Sequence, residues 1–237
     1  MRASLLVLFL GAVPMARAAD LDKLLEKRTH GEGKSALPYR LPHPLDHDAA
    51  KEYPLVIFLH GMGERGTDNK KQLVHGVKEF AKDENRKKHP CFFIAPQCPT
   101  TSTWSAFRGG FKEEPTPPAK QVLEVIAALR KEFKIDSKRI YLTGLSMGGF
   151  GTFDLLAREP GLFAAAVPIC GGGDPKTAER FAKVPLWVFH GDKDAQVKPE
   201  QSRRMVDAVK KAGGEPKYTE YKGSATTRGP RRTRTRR

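Results

Sequence analysis

Cysteine is scarce in this 237-residue chain, and no histidine follows His190. Three cysteines, Cys91, Cys98 and Cys170, allow at most one internal disulfide and leave an odd thiol, which excludes a small disulfide-stapled scaffold. Cys98 and Cys170 both fall just past expected strand ends, so a Cys98–Cys170 bridge is the pairing to look for. No apolar run reaches the ~20 residues that a membrane-spanning helix requires. The run Leu5–Val13 lies behind Arg2 and ahead of Ala16-Arg17-Ala18, the three parts of an export signal. Cleavage after Ala18 would leave Ala19-Asp20 as the start of a soluble protein, periplasmic or extracellular; an uncleaved anchor is the alternative. Metal-ligand spacing of His, Cys, Asp and Glu is absent, as is a phosphate loop, so neither metal nor cofactor is implied.

Acidic residues are missing from residues 223–237, which carry six arginines. Six of the +15 net charges come from there; without those six and the two leader arginines, +7 remains. That remainder is spread over mixed-sign surface such as Lys82-Asp-Glu-Asn-Arg-Lys-Lys88. It describes a solvated basic surface and not a focused groove, so no nucleic-acid partner is expected.

What the chain does have is a regular alternation. Leu21–Lys27 reads as a short helix and Lys34–Pro42 as an edge strand with proline near its ends. Pro54–Leu59 is a continuous apolar run, the pattern of a strand buried on both faces. Leu73, Val74, Val77 and Phe80 mark a helix, and Cys91–Ala95 a strand. Residues 118–133 form a second helix, Ile140–Thr143, Ala164–Ile169 and Leu186–Phe189 three more strands, and Ser202–Lys211 a last helix before a strand at Lys217–Lys222. This rhythm predicts one α/β domain over residues 19–222 with a mostly parallel sheet, and functional loops at the carboxyl ends of its strands. No internal repeat and no interdomain linker interrupts it.

Three segments sit at such ends. In Ile140-Tyr-Leu-Thr-Gly144-Leu-Ser146-Met-Gly148, a strand runs into Gly-x-Ser-x-Gly and then an amphipathic helix. That is the context of a nucleophile elbow, with Ser146 exposed at a helix N-terminus and the Met147 N–H aimed at a developing oxyanion. His60-Gly-Met62-Gly63 supplies a second N–H, from Met62, with Gly61 and Gly63 leaving room for a carbonyl. His190-Gly-Asp192-Lys-Asp194 offers two acids to orient a base; the spacing favours Asp194, because Asp192 more naturally closes the turn on its own backbone. Trp104 and Phe107, in the long loop after the Cys91 strand, either wall an acyl pocket or pack in the core.

Taken together with Ala95-Pro-Gln-Cys-Pro99 and Pro168-Ile-Cys-Gly-Gly-Gly-Asp-Pro175, these motifs resemble the α/β-hydrolase superfamily over roughly Tyr53–Lys222. They are most similar to secreted bacterial carboxylesterases related to the phospholipase/carboxylesterase and polyhydroxybutyrate-depolymerase-like groups, often labelled prolyl-oligopeptidase family. The resemblance implies a Ser–Asp–His triad in that chain order, hydrolysing carboxylic esters through an acyl-enzyme. It also implies a base in a Gly-x-Gly-His-x-x-Trp type loop after the last strand. Here Gly223-Ser-Ala-Thr-Thr-Arg-Gly-Pro follows instead, and none of His30, His43, His47, His60, His75, His89 or His190 occupies that place. His60 and His190 belong to the oxyanion and acid loops and read as structural hydrogen-bonders.

The tail, residues 223–237, is read as a shifted frame. Codon degeneracy permits Ser224–Gly229 to be written TCG GCC ACG ACT CGT GGG; with one G in front, the same bases encode Val-Gly-His-Asp-Ser-Trp. On that reading the written chain lacks the base, the loop that carries it and a last helix. The rival is a genuine basic tail that binds phosphate or an anionic surface. Without a large insertion to form a lid, an open cleft suits small or polymer-linked esters, such as acetyl or feruloyl groups on polysaccharide or short polyesters. A thioesterase or lysophospholipase, an inactive α/β-hydrolase that only binds, and a basic-tail nucleic-acid binder are the alternatives. Acyl specificity and oligomeric state are not encoded legibly.

Overall fold

The computed structural model describes residues 24–106 and 110–224. The segment expected to be an export signal, Phe107 and all but the first two residues of the arginine-rich tail lie outside the described residues. Eight strands form one sheet: β1 (Glu26–His30), β2 (Leu37–Leu41), β3 (Tyr53–Leu59), β4 (Phe92–Pro96), β5 (Ile135–Leu145), β6 (Ala165–Ile169), β7 (Trp187–Gly191) and β8 (Lys217–Tyr221). Their order is β1-β2-β4-β3-β5-β6-β7-β8. β1, β2 and β4 pair antiparallel, and every pairing from β4 to β8 is parallel.

The crossovers carry helices α1 (Gly76–Phe80) and α2 (Asp83–Lys88) after β3, α3 (Pro117–Glu132) after β4, and α4 (Met147–Arg158) after β5. α5 (Ala178–Phe181) follows β6 and α6 (Glu200–Lys211) follows β7. This is the α/β-hydrolase fold. Strand order reverses between β3 and β5, which lie side by side although their next connections run in opposite directions. That reversal opens a crevice at their carboxyl ends.

Alternation within each strand sorts side chains to two faces. Leu55, Ile57 and Leu59 of β3, Ile140 and Leu142 of β5 and Val188 of β7 join α3, α4 and α6 in the main core. The opposite face holds a smaller cluster of Leu25, Phe58, Leu73, Val77, Phe93 and Ala95 under α1. That cover stops at β5. Beyond it, Tyr141, Thr143, Val167, Ile169 and Phe189 are only half-buried and Trp187 is 46% exposed. No described helix lies over this part of the sheet. Among the described residues, none of the helices is long and apolar enough to cross a membrane.

Several expectations need correction. Residues 26–27, expected in a helix, open β1, and β1 takes the edge, so β2 is an inner strand. The helix expected through Leu73 to Phe80 breaks into a 3₁₀ turn at Lys71–Leu73 and α1, because His75 adopts a left-handed backbone (φ 59°) between them. Cys91, Cys98 and Cys170 are all free thiols, so the Cys98–Cys170 bridge does not form.

Neighbouring residues of β5 test the two-faced character of the sheet. Leu142→Ala, in the sealed core, should cost about 2–5 kcal/mol, and Tyr141→Ala, on the half-covered face, less than half as much. Urea unfolding of the two variants measures the contrast; equal losses would mean that both faces are sealed.

Candidate active site

Ser146 joins β5 to α4 with φ 53° and ψ −117°, a backbone conformation that side chains rarely adopt. The surroundings hold it there. The Ser146 N–H donates to Ile169 O at 2.9 Å, and Ser146 O accepts the Phe150 N–H at 3.1 Å, which opens α4. A Cβ on Gly148 would lie 1.9 Å from Leu59 O, and one on Gly144 2.4 Å from Gly148 O. Both clashes are with backbone, so both positions must be glycine for helix and strands to pass this closely. The result is a serine pinned at the positive end of a helix, with Met147 as the first helical residue and its side chain buried.

The loop after β3 lies against this elbow. Gly61 backs onto Leu145, whose Cδ1 would meet a Cβ there at 3.1 Å. Met62–Glu64 then turns as a short 3₁₀ helix, leaving Met62 39% exposed. His60 anchors the loop from below. Its Nε2 accepts the Cys98 N–H at 2.9 Å, so the Nδ1 proton is the one donated to Gly61 O at 2.6 Å. Burial of the ring holds His60 down to about 4. The Trp104 indole N–H donates to His60 O at 3.0 Å, and its ring meets the imidazole edge-on. Trp104 has no exposed surface. Of the two readings for this residue, packing is the geometry seen: it shores up the loop from the core and presents no wall to a ligand. Phe107 lies outside the described residues.

Other residues of this scaffold escaped the sequence reading. Gln97, fully buried, accepts the Asn69 N–H at 2.6 Å and donates to Glu64 O at 3.1 Å and to Asp68 Oδ1 at 2.9 Å. The Arg65 guanidinium donates to Thr100 O and Ser102 O. These bonds clamp the Gly-Glu-Arg-Gly segment to the Pro-Gln-Cys-Pro segment. A glutamine between two prolines was the available signal.

The acid loop separates its two candidates. Asp194 is buried, with Oδ1 accepting the N–H groups of Gln196 and Val197 at 2.9 Å each. Its Oδ2 is buried without a hydrogen-bond partner and lies 3.5 Å from His190 Nε2. Asp192 is half-exposed and ties down the end of the described chain: its N–H donates to Tyr221 O, and its Oδ1 receives the Ser224 N–H at 3.3 Å. Cys170 follows β6 with φ 41°, and burial, with Asp194 nearby, pushes its thiol up to about 12. His60 is engaged as described, His190 bonds Ser202 Oγ at 2.7 Å and Val197 O at 2.8 Å, and the described part of the loop after β8 contains no histidine. The chain leaves the described region at Ser224, beside the acid loop.

Comparison with known proteins places this geometry in context. The family model for the prolyl oligopeptidase family matches residues 108–181. The chain is 28% identical over 169 residues to the bifunctional acetylxylan esterase/xylanase XynS20E of Neocallimastix patriciarum, covering 71% of this chain and 22% of that protein. It is 28% identical over 131 residues to poly(3-hydroxyalkanoate) depolymerase C of Paucimonas lemoignei, covering 50% of this chain and 28% of that one. A thermostable esterase of known structure superposes with a TM-score of 0.80 at 43% identity, over 85% of this chain and 55% of its own. The chain thus spans about a quarter of the two sequence relatives and about half of the esterase.

Two measurements probe the site. Gly148→Ala should abolish the native fold or lower urea stability by more than about 3 kcal/mol, since neither backbone can yield cheaply. The second follows His60, whose folded value of about 4 lies below the ordinary 6.5. The unfolded chain binds this proton between pH 6.5 and 4 and the folded chain does not, so stability is full above 6.5 and falls as pH drops. The loss should reach about 3 kcal/mol near pH 4. His60→Gln should flatten that part of the pH–stability curve in urea titrations.

Proposed function

The chain belongs to the α/β-hydrolase superfamily, and from that premise we propose that it is a serine esterase acting through an acyl-enzyme. The observation that carries the reading is Ser146 itself, held in a strained elbow at the switch point of the sheet, with the carboxylate of Asp194 buried in the loop after β7. The Ser146 Oγ attacks the ester carbonyl, and the N–H groups of Met147 and Met62 receive the negative charge that develops on its oxygen. The alcohol leaves protonated, and water then releases the acid by the same steps. Both proton movements call for a base between Ser146 and Asp194. The Asp194 Oδ2, buried and unpartnered, is suited to accept the N–H of such a base and fix its orientation.

The base is assigned to the segment after β8. Ser224, the last described residue, is bound to Asp192 and Lys193, in the same loop that carries Asp194. As written, these residues contain no histidine, and we attribute this to a shifted reading frame whose alternative encodes Gly-His-Asp-Ser-Trp at that place. In the written form the nucleophile, acid and oxyanion donors are present without their base, and turnover is impaired. We place the enzyme outside the cytoplasm on the strength of its leader. Its substrates are small or polymer-linked esters, in keeping with an acetylxylan esterase and a polyester depolymerase among its relatives. The second reading, an inactive hydrolase that binds esters without cleaving them, draws on the same missing histidine.

The test compares hydrolysis of para-nitrophenyl acetate and butyrate by the written chain, by a chain carrying the alternative frame, and by that chain with Ser146→Ala. The alternative frame should raise kcat/KM at least about 10³-fold, and Ser146→Ala should remove the gain and the labelling by a fluorophosphonate. No gain with a folded, re-framed chain would overturn the assignment of the base. Sequencing the gene around codons 220–225 settles the frame directly.

A further inference from the structure

We propose that His190 is a positioning residue that donates a hydrogen bond through each ring nitrogen and, so charged, steadies the carboxylate of Asp194. The role given to Asp194 rests on the esterase reading; the hydrogen count does not. Val197 O can only accept, so its 2.8 Å contact with His190 Nε2 requires a proton on Nε2. Gly171 O can also only accept, and its 2.9 Å contact takes the single hydrogen of the Ser202 hydroxyl. The 2.7 Å contact between Ser202 Oγ and His190 Nδ1 then has a hydrogen only if Nδ1 carries one. All three bonds form together only with a doubly protonated ring.

A buried cation needs a counter-charge. The side chains of His190 and Asp194 are both fully buried, and Asp194 Oδ2 lies 3.5 Å from His190 Nε2. The other groups that sense this pair are otherwise engaged. Glu220 on β8, which feels the His190 charge, is bound by Arg203 and Tyr218. Cys170, which feels the Asp194 charge, is kept protonated by burial. At 3.5 Å the His190–Asp194 contact is an ion-pair distance and a poor hydrogen bond. It attracts Oδ2 without using up its capacity to accept from a base.

The same bonds give His190 a mechanical role. Gly171 packs so tightly on Gly149 of α4 that a Cβ on Gly171 would lie 2.5 Å from Gly149 C. From there the path runs through Ser202 to His190, then to Val197, whose N–H holds Asp194 Oδ1. The carboxylate is thus referenced to the helix that begins at Ser146.

The experiment is long-range imidazole ¹⁵N–¹H correlation on the full ¹⁵N-labelled chain at neutral pH, with His190→Gln to assign the ring. Two protonated nitrogens with slowly exchanging N–H protons are expected for His190. A ring with one bare nitrogen overturns the proposal. Asp194→Asn, which removes the counter-charge, should reduce His190 to a single N–H; an unchanged pattern would also overturn it. If Asp194→Asn does not fold by near-ultraviolet circular dichroism, the unsubstituted spectrum alone decides. Ser202→Ala should speed exchange of the Nδ1 proton and Ser202→Thr should restore it, a rescue that generic loss of packing does not produce. Ester hydrolysis enters none of these readings, so failure of the esterase assignment remains separately visible.

Discussion

The site depends on one close passage of backbone. At Gly148 the first turn of α4 runs against the carbonyl of Leu59, the last residue of β3, with no space for even a methyl group. That contact sets where α4 begins, and with it the strained conformation of Ser146. It also sets the height of the loop that continues from Leu59 through His60 to Met62. Ser146 and the His60–Met62 loop are therefore positioned by the same contact, from opposite sides. Gly144 and the Gly149–Gly171 pair extend it to β5 and the loop after β6. Four segments converge there, none able to shift without displacing another.

Around this junction buried polar groups wire the loops together in addition to apolar packing. His60 spans two loops through a donor and an acceptor nitrogen, Gln97 makes three more such bonds, and Ser202 links α6 to the loop after β6. Buried polar groups are costly unless paired, so each bond of this kind specifies a single arrangement. The Asp194 Oδ2 breaks that rule, and so does the Oε2 of Glu64 in the loop after β3.

Much of this was legible from sequence, for identifiable reasons. Buried parallel strands are continuous apolar runs, so β3, β6 and β7 were read within a residue or two. α3 and α6 carry clear helical periodicity. Ser146 stood out because strand, glycines and helix surround it in order. β1 (Glu-Lys-Arg-Thr-His) and α2 (Asp-Glu-Asn-Arg-Lys-Lys) were missed because both are polar throughout and have no apolar period. The break at His75 is a single left-handed residue that nothing in its type announces. The clamp made by Gln97 and Arg65 joins segments some thirty residues apart, beyond the reach of local pattern. Trp104 could be read as wall or core, and only its complete burial distinguishes the two.

The half of the sheet that no described helix covers has a consequence for handling the molecule. Among the described residues, half-buried Tyr141, Val167, Ile169 and Phe189 and exposed Trp187 form an apolar face on a chain of net charge +15. Mutual repulsion keeps such chains apart in dilute buffer, but salt screens the repulsion and strengthens the attraction between apolar faces. Sulfate or phosphate should therefore precipitate this chain at concentrations that leave an evenly charged protein of its size in solution, and purification is best begun at low ionic strength.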